Sequence, residues 1–242
     1  IPMVQLPAGS ITAQIPLMGS VTAEKLGSAD PDALDDFTAL TVTDTKVTIE
    51  SNVYAARHVM RDLGGIDPQE TGRVLGNAIQ SAFDKDVMAA IGGLTEQEIT
   101  DTDGLTVAEI FKAVGAIRGA GETGPLMGIV GATEYANLMN DIGTTSFAGG
   151  DFQTQAMRNG FFGSVAGVQL FVSSYFDATN TGVTAAKAAI FGQDALRIAM
   201  FKNVDLEIAR RAEAVGNDIV ANLHAGVGVV DANRGIILAD AS

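Results

Sequence analysis

The chain has 242 residues, enough for one large core or two modest ones, and its 15 Lys and Arg stand against 29 Asp and Glu for a formal charge of −14. That charge repels phosphate backbones at long range, so specific nucleic-acid recognition is not expected. Without cysteine there are no disulfides or thiolate metal sites, and with no apolar run of membrane-spanning length the chain reads as soluble.

The chain opens on Ile1 with no leader of signal-peptide type, so the expectation is that an N-terminal piece has been lost. Pro2, Pro7, Pro16 and Pro31 punctuate residues 1–40, where β-like runs at 11–15 and 21–23 lack the periodicity of a core. Asp30, Asp32, Asp35 and Asp36 crowd one short span, as in a solvated loop or one whose partner is on another chain. This part reads as an extended arm or loop.

Residues 43–54 alternate, with Thr45, Val47, Ile49 and Val53 on one side and Asp44, Lys46, Thr48, Glu50 and Asn52 on the other, which predicts a half-buried strand. A short helix is predicted over 54–63, stopped by Gly64 and Gly65. Next, Asp67 in a capping position, Pro68 at the first helical position and Glu70 at capping-box spacing give three coincident start signals. Leu75, Ile79, Phe83, Val87 and Ile91 then recur every four residues, joined by Ala78, Ala82 and Ala90, until Gly92 and Gly93 end the run. The predicted helix, 68–91, would be about 36 Å long at 1.5 Å per residue, enough to cross the subunit as a spine.

Further on, a helix is predicted over 106–118, with Val107, Ile110, Phe111, Val114 and Ile117 at helical spacing, then a buried strand over 126–130 and a helix from 133 to about 139. GTTSFAGGD, residues 143–151, is predicted to be an exposed loop of the kind that carries contacts, with helical character at 152–158. NGFFGSVAGVQLFVSS leads through a glycine-bounded turn into a strand at 168–173, and strands follow at 188–191, 205–211, 218–230 and 235–238. This β-rich tail is expected to pair with the strand at 43–54 and to pack on the long helix.

In this order the elements resemble the major capsid proteins of tailed bacteriophages with the Hong Kong 97-type fold, an architecture that encapsulin shells share. The likeness rests on TVTDTKVTIESNVYAARHVMRDLGGIDPQETGRVLGNAIQSAFDKDVMAAI (41–91, with Asp84 or Asp86 near the helix end), on 159–174 and on DLEIARRAEAVGNDIVANLHAGVGVVDANRGIIL (205–238). Residues 1–40 match poorly. The resemblance implies an α+β fold with an N-terminal segment and E-loop (1–40, the extended loop being 10–40), a peripheral domain (41–119 and 203–242, spine helix 68–91) and an axial domain (120–202). It further implies a protein that is no enzyme and needs no cofactor. Such a protein assembles with itself into hexamers and pentamers of an icosahedral shell around double-stranded DNA, which it touches only non-specifically. Portal, scaffolding and decoration proteins would be further partners, the virion its location and the bacterial cytoplasm its place of assembly, with no membrane involved.

Chemical readings of single motifs are weaker. No residue is assigned a catalytic, cofactor-binding or metal-binding role. His58 and His224 read as incidental side chains on ordered elements. GSVAG (163–167) has its serine off the central position a nucleophile elbow requires. GIVGATEY (128–135) follows a strand and opens a helix, as a phosphate-cradling turn does in a nucleotide-using α/β enzyme, but lacks the full glycine spacing and a terminal lysine. DTDG (101–104) echoes a calcium loop with Ile99 and Ile110 where carboxylates are required, and Lys25, the one lysine of the E-loop that the resemblance implies, reads as solvated.

Overall fold

The computed structural model describes residues 1–7, 9–18, 44–62, 68–99, 104–144 and 164–240. The chain runs β1 (Met3–Gln5), β2 (Thr12–Met18), β3 (Asp44–Glu50), β4 (Asn52–Arg61), α1 (Pro68–Ile91), β5 (Thr95–Ile99), α2 (Val107–Gly119), β6 (Leu126–Gly131), α3 (Ala132–Thr144), β7 (Ser164–Val165), β8 (Val168–Ser173), α4 (Ala178–Thr181), β9 (Ala186–Gly192), β10 (Leu196–Arg211), β11 (Gly216–Val229) and β12 (Gly235–Asp240). It is an α+β fold, as expected. Three sheets organise it: a four-stranded one ordered β1-β10-β11-β4, a six-stranded one ordered β5-β12-β9-β6-β8-β7, and the two-stranded ribbon β2-β3.

Helix α1 keeps the bounds its sequence dictates and joins the two larger sheets. Its early residues Leu75 and Ile79 pack with Tyr54, Ile219, Ala221 and Leu223 of the four-stranded sheet. One end later, Val87, Met88 and Ile91 pack with Ala189, Phe191 and Ile237 of the six-stranded sheet. Phe83 belongs to both clusters. Ala78 and Ala82, expected on the inner face, are exposed, because the contact stripe is narrow and shifts to Met88 as the helix passes from one sheet to the next. Gly92 closes the helix where a Cβ would sit 1.8 Å from the Thr181 carbonyl oxygen, so the chain can leave only through glycine.

Strand β4 is a correction. Residues 54–63 were expected to form a helix, yet Asn52–Arg61 is a strand paired with β11 from Ala225↔Asn52 to Gly216↔Arg61. Its helix-side residues alternate as Tyr54, Ala56 and Met60, a period of two that alanines and arginines disguise. The strand at 43–54 is broken at Ser51, and the break reverses the facing: Ile49 is buried, but Val53 is 62% exposed and Tyr54 turns inward. The tail pairing expected for 43–54 therefore falls on Asn52–Arg61, while Asp44–Glu50 pairs with β2.

In the six-stranded sheet, β9 and β12 are buried on both faces. Ala188, Ile190, Ile236 and Leu238 face α2 and Leu138 of α3, whereas Ala189, Phe191 and Ile237 face the end of α1. Strands β5 and β12 pair with each other, and α2 packs on this sheet. Helix α2 starts at Thr106, whose side chain accepts from Glu109 N. Phe111, though at helical spacing with the apolar residues, is 47% exposed, because Ala113 and Glu109 take the buried positions beside Ile110. The expected loop at 143–151 and helix at 152–158 lie outside the described residues from 145 on, while Gly143 and Thr144 end α3.

Candidate assembly surfaces

Two parts of the fold reach beyond its cores. The first is the ribbon of β2 and β3, antiparallel from Thr12↔Glu50 to Met18↔Asp44. Its base is anchored by Ala13 and Ile49, which are buried with Ala199 and Phe201 of β10. Glycine in β11 permits this approach: a Cβ on Gly226 would lie 2.1 Å from the Glu50 carbonyl oxygen. Away from the base, Gln14, Pro16, Thr45, Lys46 and Thr48 are exposed. Both strands run toward residues 19–43, which include Lys25 and the acidic span and lie outside the described residues.

The second is the far end of the β10-β11 hairpin, with β4 alongside. Strand β10 has 16 residues, far more than the expected 205–211; its first part is buried and its last ten residues are mostly exposed. Val204, Leu206 and Ile208 lie open there, together with Val215 in the connecting turn. Polar ties brace the sheet: Arg57 grips Asp218 through Nε at 2.8 and 2.9 Å, and Arg210 grips Asp62 at 2.6 and 2.8 Å. The hydrogen bonds from these guanidinium groups hold the Asp218 and Asp62 carboxyls below the usual carboxylate range. At the turn, Val215 has φ 45° and ψ 56°, the left-handed region that a β-branched side chain rarely enters.

The chemically suspicious motifs do not converge. His58 sits half-buried on the helix side of β4, lining a cleft of about 280 Å³ with Glu70, Thr71, Val74 and Leu75. His224 lies between the buried Leu223 and Ala225 on β11, so strand alternation puts it on the opposite face of that sheet. Ser164 is an exposed residue of β7, followed by the tight turn of Ala166 (φ 54°) and Gly167 (φ 78°), which is no strand-to-helix elbow. Of DTDG only Gly104 is described, and among the described residues no group of three His, Cys, Asp or Glu is placed to hold a metal ion.

The GIVGATEY turn is spent on packing. A Cβ on Gly128 would meet Leu170 Cδ2 at 2.5 Å, so this glycine serves the contact between β6 and β8. The first turn of α3 holds its own anion, Glu134, which accepts from Leu105 N at 3.2 Å, Asn137 Nδ2 at 3.0 Å and Lys187 Nζ at 2.7 Å. Lys187 also reaches Asp240 at 3.2 Å, so one cation ties α3, β9 and β12 together. Burial alone would push the Glu134 carboxyl up, but these three donors outweigh it and hold it below its ordinary range. A second cation, Arg234, gathers Glu122 at 3.2 Å, Asp231 at 3.1 Å and Asp194 at 3.5 Å. Both clusters brace the six-stranded sheet.

The uncovered apolar row on β10 is not foreseen from the sequence. Its signal was present in the alternation of Asp205, Leu206, Glu207 and Ile208, which marks a strand with one apolar face but not whether anything covers it.

No protein-family model and no curated protein sequence matches the chain. Among solved structures, the capsid of the cyanophage P-SCSP1u is similar, with 16% identity and a TM-score of 0.73 over 100% of this chain and 86% of that one. A chain of Mycobacterium phage Che8 is similar at 17% identity and a TM-score of 0.73, covering 95% and 84%. A virus-like particle from Pyrococcus furiosus is similar at 11% identity and a TM-score of 0.62, covering 98% and 89%. The chain thus has the fold of bacteriophage capsid proteins, the Hong Kong 97-type architecture expected from its sequence.

Proposed function

We propose that this chain is a major capsid protein that self-assembles, without catalysis, into the icosahedral shell of a tailed bacteriophage enclosing a double-stranded DNA genome. The observation that carries this reading is the likeness to phage capsid chains over the whole length of the chain rather than over one portion of it. The projecting ribbon and the open end of the β10-β11 hairpin supply the means, since each offers surface that the subunit itself leaves uncovered.

In this reading residues 41–119 and 203–242, with α1 and most of the four-stranded sheet, form the peripheral domain, and residues 120–202 form the axial domain. The ribbon is the root of an E-loop that lies across a neighbouring subunit. Hexamers and pentamers of such subunits sum many weak contacts in a closed symmetric shell, so no single strong bond is required. The net charge of −14 keeps packaged DNA from adhering tightly. Portal, scaffolding and decoration proteins would complete the virion, assembled in the bacterial cytoplasm.

A second reading, a nanocompartment of the encapsulin kind filled with protein, draws support from the likeness to the Pyrococcus furiosus particle, though at a TM-score of 0.62 against 0.73 for the cyanophage capsid. Negative-stain microscopy of the purified protein tests both. Hollow isometric particles are expected, their contents in infected cells or producing hosts being DNA in the first reading and protein in the second. A chain that stays a compact monomer at all concentrations overturns both.

A further inference from the structure

Strand β10 carries an open edge. On the side away from β11 it is paired, among the described residues, only at Ile198, Ala199 and Met200, by β1. Among the described residues nothing pairs with that side from Lys202 to Arg211, although the ladder to β11 continues to Arg211↔Gly216. The edge is apolar on one face, with Val204 59%, Leu206 47% and Ile208 61% exposed. A long free edge of this kind is a template for another strand unless charge or irregularity blocks it. The irregularities lie between Met200 and Lys202 and between Lys202 and Asp205, and beyond them the ladder runs unbroken over 205–211.

We propose that two copies of this chain join by pairing their β10 edges antiparallel about a two-fold axis through Ile208. The proposal deepens the shell reading and rests on it. Its register follows from charge together with the length of regular strand that it uses. A symmetric antiparallel pair must be centred on a residue, because only then does each side chain meet one on the same face. Centring on Glu207 sets that carboxylate against its own copy, and centring on Leu206 sets Asp205 against Glu207 and Lys202 against Arg210. Centring on Ile208 uses the whole regular stretch, opposes Asp205 to Arg211 twice, and leaves no like charges facing. In that register the Leu206 side chain lies against the stem of Arg210, whose guanidinium stays on Asp62. Asp205, now held by Lys202 at 2.9 Å on the surface, exchanges one exposed cation for another.

The chain has no cysteine, so an Ile208→Cys variant carries a single thiol. Residues directly opposed in an antiparallel pair have Cα atoms about 4.5–5.5 Å apart, within disulfide reach. Under mild oxidation Ile208→Cys is expected to yield covalent dimers, while Val53→Cys, exposed on β4 of the same sheet, is expected to remain uncoupled. Asp205→Arg and Arg211→Asp should each weaken self-association of the full chain about tenfold, and the double reversal should restore it. Failure of Ile208→Cys to couple in particles that still form, with association indifferent to both reversals, overturns the β10 contact and leaves the shell reading standing. Coupled dimers that never build particles keep the contact and overturn the shell.

Discussion

The hydroxyl of Tyr54 donates a 2.6 Å hydrogen bond to Oδ2 of Asp86, fastening β4 to the second half of α1. Burial, and after it the bond to Asp86, pushes the tyrosine up from 10.0 to about 12. An acid whose folded pKa is raised contributes stability that is complete below its unfolded value and is lost as pH rises through the folded one. The chain is therefore expected to lose stability between pH 10 and about 12, and Tyr54→Phe, which cannot ionise, should show a flatter profile there. At neutral pH the same variant should cost about 1.5–3 kcal/mol, the worth of a hydrogen bond to a carboxylate. Urea unfolding at a series of pH values measures both effects, and parallel profiles would refute the assignment.

Phe83 stands edge-on to Tyr54, with ring centroids 5.6 Å apart at 81°. Because it touches the clusters beneath both large sheets, its loss should loosen the coupling between them as well as the local core. Phe83→Ala is expected to cost about 3 kcal/mol, the low end for an aromatic truncation, since the ring is only partly buried. Ile79→Ala, at a site 2% exposed, should cost a similar ~3 kcal/mol but leave the six-stranded sheet undisturbed. Hydrogen exchange separates the two: faster exchange in both sheets for Phe83→Ala, in the four-stranded sheet alone for Ile79→Ala.

What the sequence made legible were the elements whose stability is local. Helix α1 announces itself through Pro68, Glu70 and a stripe from Leu75 to Ile91, and the structure keeps those limits. Strand β4 was illegible for the opposite reason: Ala55, Ala56 and Arg57 favour a helix locally, and only the ladder to β11, more than 150 residues away, makes them a strand. The tail was legible as strands but not as to destination, because Ile236, Ile237 and Leu238 are apolar on both faces and would suit any buried sheet. The candidate surfaces were least legible. Leu206 and Ile208 have the pattern of core residues, and their exposure depends on where α1 ends its coverage of the sheet.

Lys187 is a cation shared by Glu134 and Asp240, and Glu134 is 5% exposed. Removing the ammonium leaves a buried carboxylate with two neutral donors, Asn137 and the Leu105 amide. Lys187→Met is expected to cost ~2–3 kcal/mol, below the full penalty for a broken buried pair because those donors remain. With its pKa held low, Glu134 contributes stability that is present above the ordinary carboxylate range and is lost as pH falls through the folded value. Glu134→Gln should therefore flatten the acid limb of the stability profile, and an unchanged limb would show that the cluster plays no part in acid sensitivity.

Val215 presents opposing demands at one residue. Its left-handed backbone costs on the order of 1–2 kcal/mol in a β-branched side chain, while its 59% exposure means that the subunit recovers little by burying it. The turn does not depend on the side chain, since Val215 N donates to Ala212 O at 3.2 Å and its carbonyl accepts from Asp62 N at 3.0 Å. Val215→Gly keeps both bonds and removes the strain, but adds freedom to the unfolded chain, so a net gain of about 0.5–1 kcal/mol is expected. If the valine is retained for contact with a neighbouring copy, the same variant should assemble less readily although its subunit is more stable. Unfolding of the dilute subunit and light scattering of the assembling protein, measured on one preparation, read the two effects separately. A variant that gains stability and assembles as well as the parent would show that the strained turn serves no contact.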